Sequence, residues 1–146
     1  MADTANRDPT VLVVEDDPNI RRMITTSLTI AGYQSREAPN GRQALEIMRD
    51  GGADVVVLDL MLPEVNGWEV LSERAKDPLL RDIAVIVISA SREPAIADAV
   101  TKGICAFLPK PFELQALLAL VGSCVRAGAH APNLSPPRLL DTRGDD

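Results

Sequence analysis

The run Val55-Val56-Val57-Leu58, closed by Asp59, constrains this chain more than any other stretch. Four consecutive branched apolar residues fit a strand covered on both faces, the condition of a central strand in a parallel sheet. The run ends in a carboxylate, and a loop through Leu60-Met61-Leu62-Pro63 to Asn66-Gly67 follows. A carboxylate there is costly to bury alone, so Asp59 must face water, a cation or a partner group. In an open α/β sheet this edge, outside the carboxyl ends of the strands, is where ligands bind.

The rest of the chain repeats the pattern. Val11–Val14 is a short apolar strand that ends in Glu15-Asp16-Asp17, and Asp17-Pro18 supplies an N-cap and a first helical residue. Ile20, Met23, Ile24, Leu28 and Ala31 recur at helical spacing up to Gly32. Tyr33–Ala38 is a weaker strand, polar on one side. Ala44, Leu45, Ile47 and Met48 form the apolar side of a short helix that stops at Gly51-Gly52. After the central strand (about Asp54–Asp59), a third helix spans Gly67 to about Ala75, with Trp68, Val70 and Leu71 inward. Ala84–Ile88 is another wholly apolar strand, followed by Ser89-Ala90-Ser91. A fourth helix is expected from about Pro94 to Lys102, closed by Gly103. Cys105–Leu108, the last strand, leads into Pro109-Lys110-Pro111, and a fifth helix runs from Phe112 to about Arg126.

Five strands alternating with five helices predict an α/β, doubly wound, five-stranded parallel sheet with helices on both faces. Right-handed crossovers leave few topologies, and the common one is the flavodoxin-like order 2-1-3-4-5, with its crevice between strands one and three. The chain has 146 residues, enough for one domain and one sizeable core. Residues 1–9 read as a disordered lead-in, 10–127 as the domain, and 128–146 as a disordered tail or truncated linker, polar and Pro-containing. Aromatic residues are 3 % of the chain, so the core must be aliphatic. The net charge of −6 argues against general nucleic-acid affinity. The longest apolar run, Leu114–Val121, is far short of the roughly 20 residues of a membrane span. Met1–Thr10 has no signal-peptide core. Cys105 and Cys124 are too few and too unpatterned for a disulfide framework or zinc site, and are expected to be reduced in a cytoplasmic protein.

What the strands deliver to one edge carries the chemistry. Strand one gives Glu15 and Asp16, strand three Asp59, strand four Ser89 and strand five Lys110. Taken singly each has a bland reading: an acidic turn, a solvated cap, a turn serine, a surface lysine between prolines. Their joint arrival at one edge does not. Packed carboxylates repel and raise one another's pKa, which a divalent cation relieves. Mg²⁺ takes hard oxygen ligands and keeps several waters. Such a cation with a Lys and a hydroxyl suits a phosphoryl group, leaving Asp59 as a nucleophile that forms an acyl phosphate.

These residues carry a resemblance. VLVVEDDP (Val11–Pro18), VVVLDLMLPEVNGWEVL (Val55–Leu71), VIVISA (Val85–Ala90) and FLPKPF (Phe107–Phe112) resemble the receiver domain of two-component response regulators, similar to the chemotaxis response regulator. The likeness covers about residues 10–127. It implies that Asp59 is the phosphoacceptor, that Glu15, Asp16, Asp59 and the Met61 backbone carbonyl hold Mg²⁺, and that Lys110 contacts the phosphoryl group. It also implies that Ser89 is the switch hydroxyl and Phe107 the switch aromatic. The partners implied are a histidine kinase or histidine phosphotransferase and a downstream protein, with no direct nucleic-acid binding and no membrane insertion. Phosphorylation would alter the surface of helix four, strand five and helix five, through which a homodimer also fits.

Positions that vary among such domains add detail. Met61 and Ser91 lie two residues beyond Asp59 and Ser89, and Met61 cannot orient a water, which predicts a long-lived phosphoryl-Asp59. Ile96, Ala99, Ala116 and Ala119 are small or apolar, fit for a partner site or for core. No segment after Arg126 is long or apolar enough to be expected to fold as an output domain, so the chain is expected to be a stand-alone receiver or one cut in a linker. It is not expected to be an enzyme beyond its own phosphorylation and dephosphorylation. The alternatives are a receiver-like interaction module that is never phosphorylated, and a Mg-dependent aspartyl-nucleophile phosphatase. The second needs another Asp where Met61 stands.

Overall fold

The computed structural model describes residues 8–62, 65–90 and 103–127. The elements are β1 (Thr10–Val14), α1 (Pro18–Ile30), β2 (Gln34–Ala38), α2 (Gly41–Arg49), β3 (Val55–Asp59), α3 (Gly67–Lys76), β4 (Ala84–Ser89), β5 (Ala106–Pro109) and α4 (Leu114–Ala127). The strands form one parallel sheet in the order β2-β1-β3-β4-β5, as the alternation predicts. The helix expected over Pro94–Lys102 lies outside the described residues, as do Pro63, Ser91, Ile96 and Ala99.

Strand alternation sorts the core into two layers. Leu12, Val14, Val56, Leu58, Val85, Val87 and Phe107 pack with Ala44, Leu45 and Met48 of α2 and Val70 and Leu71 of α3. Val11, Val13, Val55, Val57, Ile86, Ile88 and Leu108 pack with Ile24 and Leu28 of α1 and Leu117, Leu120 and Val121 of α4. All five β3 residues and all six of β4 are buried, which is why their sequences show no polar alternation. Edge strand β2 is mostly exposed or half-buried, matching its polar sequence.

The structure departs from the sequence reading in three places. On α1 the buried stripe is Ile24, Thr25 and Leu28, while Met23 is 46 % exposed. A helical period marks a wide stripe, but only its centre faces a sheet. Second, Arg74 is buried on α3, one turn beyond Val70 and Leu71. Third, Cys105 and Cys124 are not free thiols but a disulfide, with Cα atoms 6.3 Å apart. They meet because the lead into β5 and the last turns of α4 face each other across the same apolar layer. That contact is tertiary, and a spacing of 19 residues gives no sign of it. Among the described residues no helix is long and apolar enough to cross a membrane.

Candidate functional site

Three backbone hydrogen bonds tie the strand ends together at the carboxyl edge. Glu15 N donates to the Ala38 carbonyl at 3.1 Å, Leu60 N to Ile88 at 3.3 Å, and Lys110 N to Ser89 at 2.9 Å. The parallel register sets Val14 beside Leu58, Asp59 beside Ile88 and Ser89 beside Pro109. Residues that follow these strands therefore emerge at nearly one height. The chain then turns away into helices with strong start signals. Asp17 caps α1 by accepting from Asn19 N and Ile20 N, with Pro18 at the first helical position. Asn66 caps α3 in a reciprocal capping box with Glu69.

The predicted polar residues do converge. Lys110 Nζ donates to Asp59 Oδ2 at 2.8 Å and to Glu15 Oε1 at 3.0 Å. Met61 N donates to Asp59 Oδ1 at 2.9 Å, and Asp17 N to Glu15 Oε2 at 3.1 Å. Carboxylate oxygens of Glu15, Asp16 and Asp59 lie within 4.8 Å of one another. Glu15 and Asp59 are buried while Asp16 is exposed, so the cluster opens to solvent on the Asp16 side. Ser89 is fully buried at the end of β4. Phe107 is buried in the α2–α3 layer, one strand position before Leu108.

The electrostatics follow from this packing. Burial, with the nearby Asp59 charge, pushes the Glu15 pKa up, against hydrogen bonds from Asp17 N and Lys110 that pull it down. Burial alone would push Lys110 down, but its hydrogen bonds and charge interactions with Asp59 and Glu15 outweigh this and raise it. Lys110 is therefore held as a cation whose charge is shared by two carboxylates. Hard oxygen ligands this close, one of them open to solvent, suit a small divalent cation more than any neutral ligand.

Gly67 shapes the loop after Asp59. A Cβ there would lie 2.5 Å from Leu60 Cα and 2.6 Å from the Asp59 carbonyl oxygen, so only glycine lets α3 start this close to β3. Sequence reasoning missed Arg21. Its Nη1 donates to the Glu15 carbonyl at 2.8 Å and its Nε to Glu37 at 2.8 Å, which ties the acidic loop to α1 and β2. Nothing in the spacing of Arg21 distinguishes it from a surface arginine. Of the residues left open between partner site and core, Ala116 packs on the α1–α4 layer and Ala119 is exposed.

Comparisons with known proteins agree on the family. The family model described as response regulator receiver domain matches residues 11–122. The response regulator MprA of Mycolicibacterium vanbaalenii is 36 % identical over 152 residues, covering 92 % of this chain and 64 % of that protein. The phosphate regulon transcriptional regulatory protein PhoB of Pseudomonas aeruginosa is 34 % identical over 118 residues, covering 80 % of this chain and 52 % of that protein. The receiver domain of the Francisella response regulator 1452 superposes with a TM-score of 0.76 at 28 % identity, over 82 % of this chain and 98 % of that one. The chain spans about half the length of several of the curated relatives it matches.

Proposed function

Because the chain belongs to the response regulator receiver domain family, we propose that it is a phosphoacceptor signalling switch in which Asp59 takes a phosphoryl group from a histidine kinase or histidine phosphotransferase. One observation carries this reading. Asp59 is a buried carboxylate at the end of the central strand, 2.8 Å from Lys110 Nζ and grouped with two further carboxylates. A purely structural carboxylate would be matched one-to-one by a cation. Here three carboxylates cluster around one lysine that pairs with only two of them, an excess of negative charge that fits a divalent cation.

Glu15, Asp16, Asp59 and the Met61 carbonyl would hold Mg²⁺. When bound, Mg²⁺ supplies charge neutralisation for the phosphoryl oxygens and for the crowded carboxylates. The chain's own groups do the rest. Met61 N fixes one oxygen of Asp59, which orients the carboxylate. Lys110, already cationic, exchanges part of its contact with Asp59 for the incoming phosphoryl oxygens. Ser89 offers a hydroxyl from the neighbouring strand end, and its movement frees space for Phe107 to turn in the α2–α3 layer. The surface beyond β5 then changes and is read by a downstream protein. A cleft of about 270 Å³ lined by Ile20, Met23, Lys110, Pro111 and Phe112 borders the same edge. It supports docking of the phosphodonor protein against α1, where Met23 is exposed without a core role.

The experiment is intact mass after incubation with Mg²⁺ and acetyl phosphate, beside Asp59→Asn. One phosphoryl adduct, dependent on Mg²⁺ and lost in the variant, is expected. No adduct and no release of inorganic phosphate from the donor would instead favour a receiver fold kept for binding alone.

A further inference from the structure

The chain has two cysteines, and both lie in one bond that joins the lead into β5 to the last turn of α4. The fold does not need this bond to make up for a small core. Domains that depend on disulfides are short and poor in apolar packing, whereas here two aliphatic layers cover the two faces of a five-stranded sheet. The position of the bond is more informative. Among the described residues of α4, Leu117, Leu120, Val121 and Cys124 are buried. Beyond Cys124, Val125 is half-buried and Arg126 is exposed. Cys124 is therefore the last buried anchor of this helix, and helix ends open far more readily than cores. Its partner is on firm ground. Cys105 N donates to the Val85 carbonyl at 2.7 Å, which fixes Cys105 to β4, and Phe107 follows on β5.

We propose that Cys105–Cys124 is a reversible thiol–disulfide site, exchanged by a dithiol reductant, whose oxidation state sets whether the last turn of α4 is closed on β5. It is a second input to the domain and does not depend on Asp59 being the phosphoacceptor. Cys105 is 5 % exposed and Cys124 fully buried, so the Cys105 sulfur is the one a reagent meets first. A donor thiolate bonds to Cys105 Sγ. The bond between the two cysteine sulfurs breaks, and its electron pair leaves on Cys124, which takes a proton. The donor's second thiolate then attacks its own sulfur in the mixed disulfide, and Cys105 leaves as a thiolate that is protonated in turn. Two electrons and two protons pass from the dithiol to the protein, and the donor ends as a disulfide. A thiolate is costly to form in the apolar layer around Cys124, so cleavage goes with opening of the last turn. Once cut, that turn is held only by the packing of a small thiol. A disulfide oxidant reverses the step. Since α4 and β5 share one apolar layer, the state of the bond bears on the face beside β5.

The test uses the full chain, purified without reductant, before and after dithiothreitol and again after oxidised glutathione. Thiols are counted by alkylation in denaturant and intact mass, and backbone opening is read by amide hydrogen exchange. The expected result is no labelled cysteine, then two, then none again, with no denaturant needed for the reduction. Exchange over Val121–Arg126 should rise roughly tenfold on reduction, while β1 and β3 stay within about twofold. Cys124→Ala should show the reduced pattern at once and ignore dithiothreitol. Should that variant fail to fold, the native chain in its two states still carries the comparison. A bond that resists dithiothreitol until the protein is denatured would make it a fixed brace and overturn the proposal. So would two free thiols that oxidised glutathione cannot join, reduction that leaves exchange in α4 unchanged, or a rise shared equally by β1 and β3.

Discussion

Two cations, one at each end of the sheet, are held in opposite ways. Lys110, at the carboxyl edge, faces the carboxylates of Asp59 and Glu15. Arg74, on α3, donates from Nε to the Ile83 carbonyl at 2.8 Å and from Nη2 to the carbonyls of Arg81 at 3.2 Å and Gly103 at 3.4 Å. Those carbonyls precede β4 and β5, so Arg74 works at the amino edge. Burial lowers the Arg74 pKa, with Asp82 opposing, whereas carboxylates lift that of Lys110. Arginine stays charged in either case, and its planar fork suits fixed carbonyl dipoles. A cation among carboxylates sits in a field that an incoming anion or metal can share. A cation among backbone carbonyls is a strut, because its partners cannot leave without unfolding a loop. A positive charge is thus shared among carboxylates at one edge and fixed among backbone carbonyls at the other.

The sharpest way to break this contrast is to remove each charge while keeping volume. Lys110→Met should lower the rate of Asp59 phosphorylation by about 10²–10³-fold, the usual loss for one positioned electrostatic donor. Its stability loss should be largely relieved by Mg²⁺, because the cation takes over the neutralising of Glu15 and Asp59. Chemical denaturation with Mg²⁺ and with a chelator, beside phosphorylation kinetics, checks both halves. Arg74→Met should do the reverse. Orphaned buried carbonyls and a lost strut should cost about 2–4 kcal/mol of folding stability, and Mg²⁺ should not restore it. The phosphorylation rate per folded molecule should stay within about threefold of wild type, measured where both proteins are fully folded. A large kinetic defect in Arg74→Met would show that the amino edge also sets the geometry of the site.

Gly67→Ala tests the ground between the two. Its Cβ would press on Leu60 Cα and the Asp59 carbonyl oxygen, both backbone, so the start of α3 must shift. A loss of about 1–3 kcal/mol is expected, with phosphorylation slowed as well, because the displaced loop carries Met61 N away from Asp59. Stability lost without any change in rate would mean that the loop after Asp59 does not need the close approach of α3.

How legible each edge was follows from the same contrast. The carboxyl edge could be read because each of its residues ends an apolar run: Glu15 after Val11–Val14, Asp59 after Val55–Leu58, Ser89 after Ala84–Ile88, Lys110 after Cys105–Leu108. Parallel strands carry their ends to one place, so order along the chain converts directly into proximity. Arg74 offered no such signal. It lies at an inward position of α3, where an arginine reads as an interruption, and its partners are carbonyls, which have no sequence signature. The Cys105–Cys124 pair and the Arg21 tether to the Glu15 carbonyl were hidden for the same reason, since each depends on which surfaces meet. For Asp59 the sequence left water, a cation or a partner group open, and the structure supplies Lys110 together with Met61 N, which lets it sit 3 % exposed.

The smallest expected effect belongs to a third arrangement, a cation paired with a carboxylate that water reaches. Glu37 on β2 accepts from Arg21 Nε at 2.8 Å and from Thr25 Oγ1 at 3.2 Å, and its side chain is 35 % exposed. The Arg21 hydrogen bond is the main reason its pKa lies below the ordinary 4.5, with smaller help from Thr25 and Arg22. Solvent screening limits what such a pair contributes, so Glu37→Gln should cost under about 1 kcal/mol at neutral pH. The sign of its pH dependence is fixed. With the folded pKa lowered, the unfolded chain binds the proton first as pH falls. Stability from this pair is therefore complete well above pH 4.5 and is lost as pH drops through the folded value. Urea midpoints of wild type and variant should differ at pH 7 and converge in acid, while the Arg74→Met deficit persists. A Glu37→Gln deficit that stayed constant into acid would come from packing on α1, and the carboxylate would then belong with the struts.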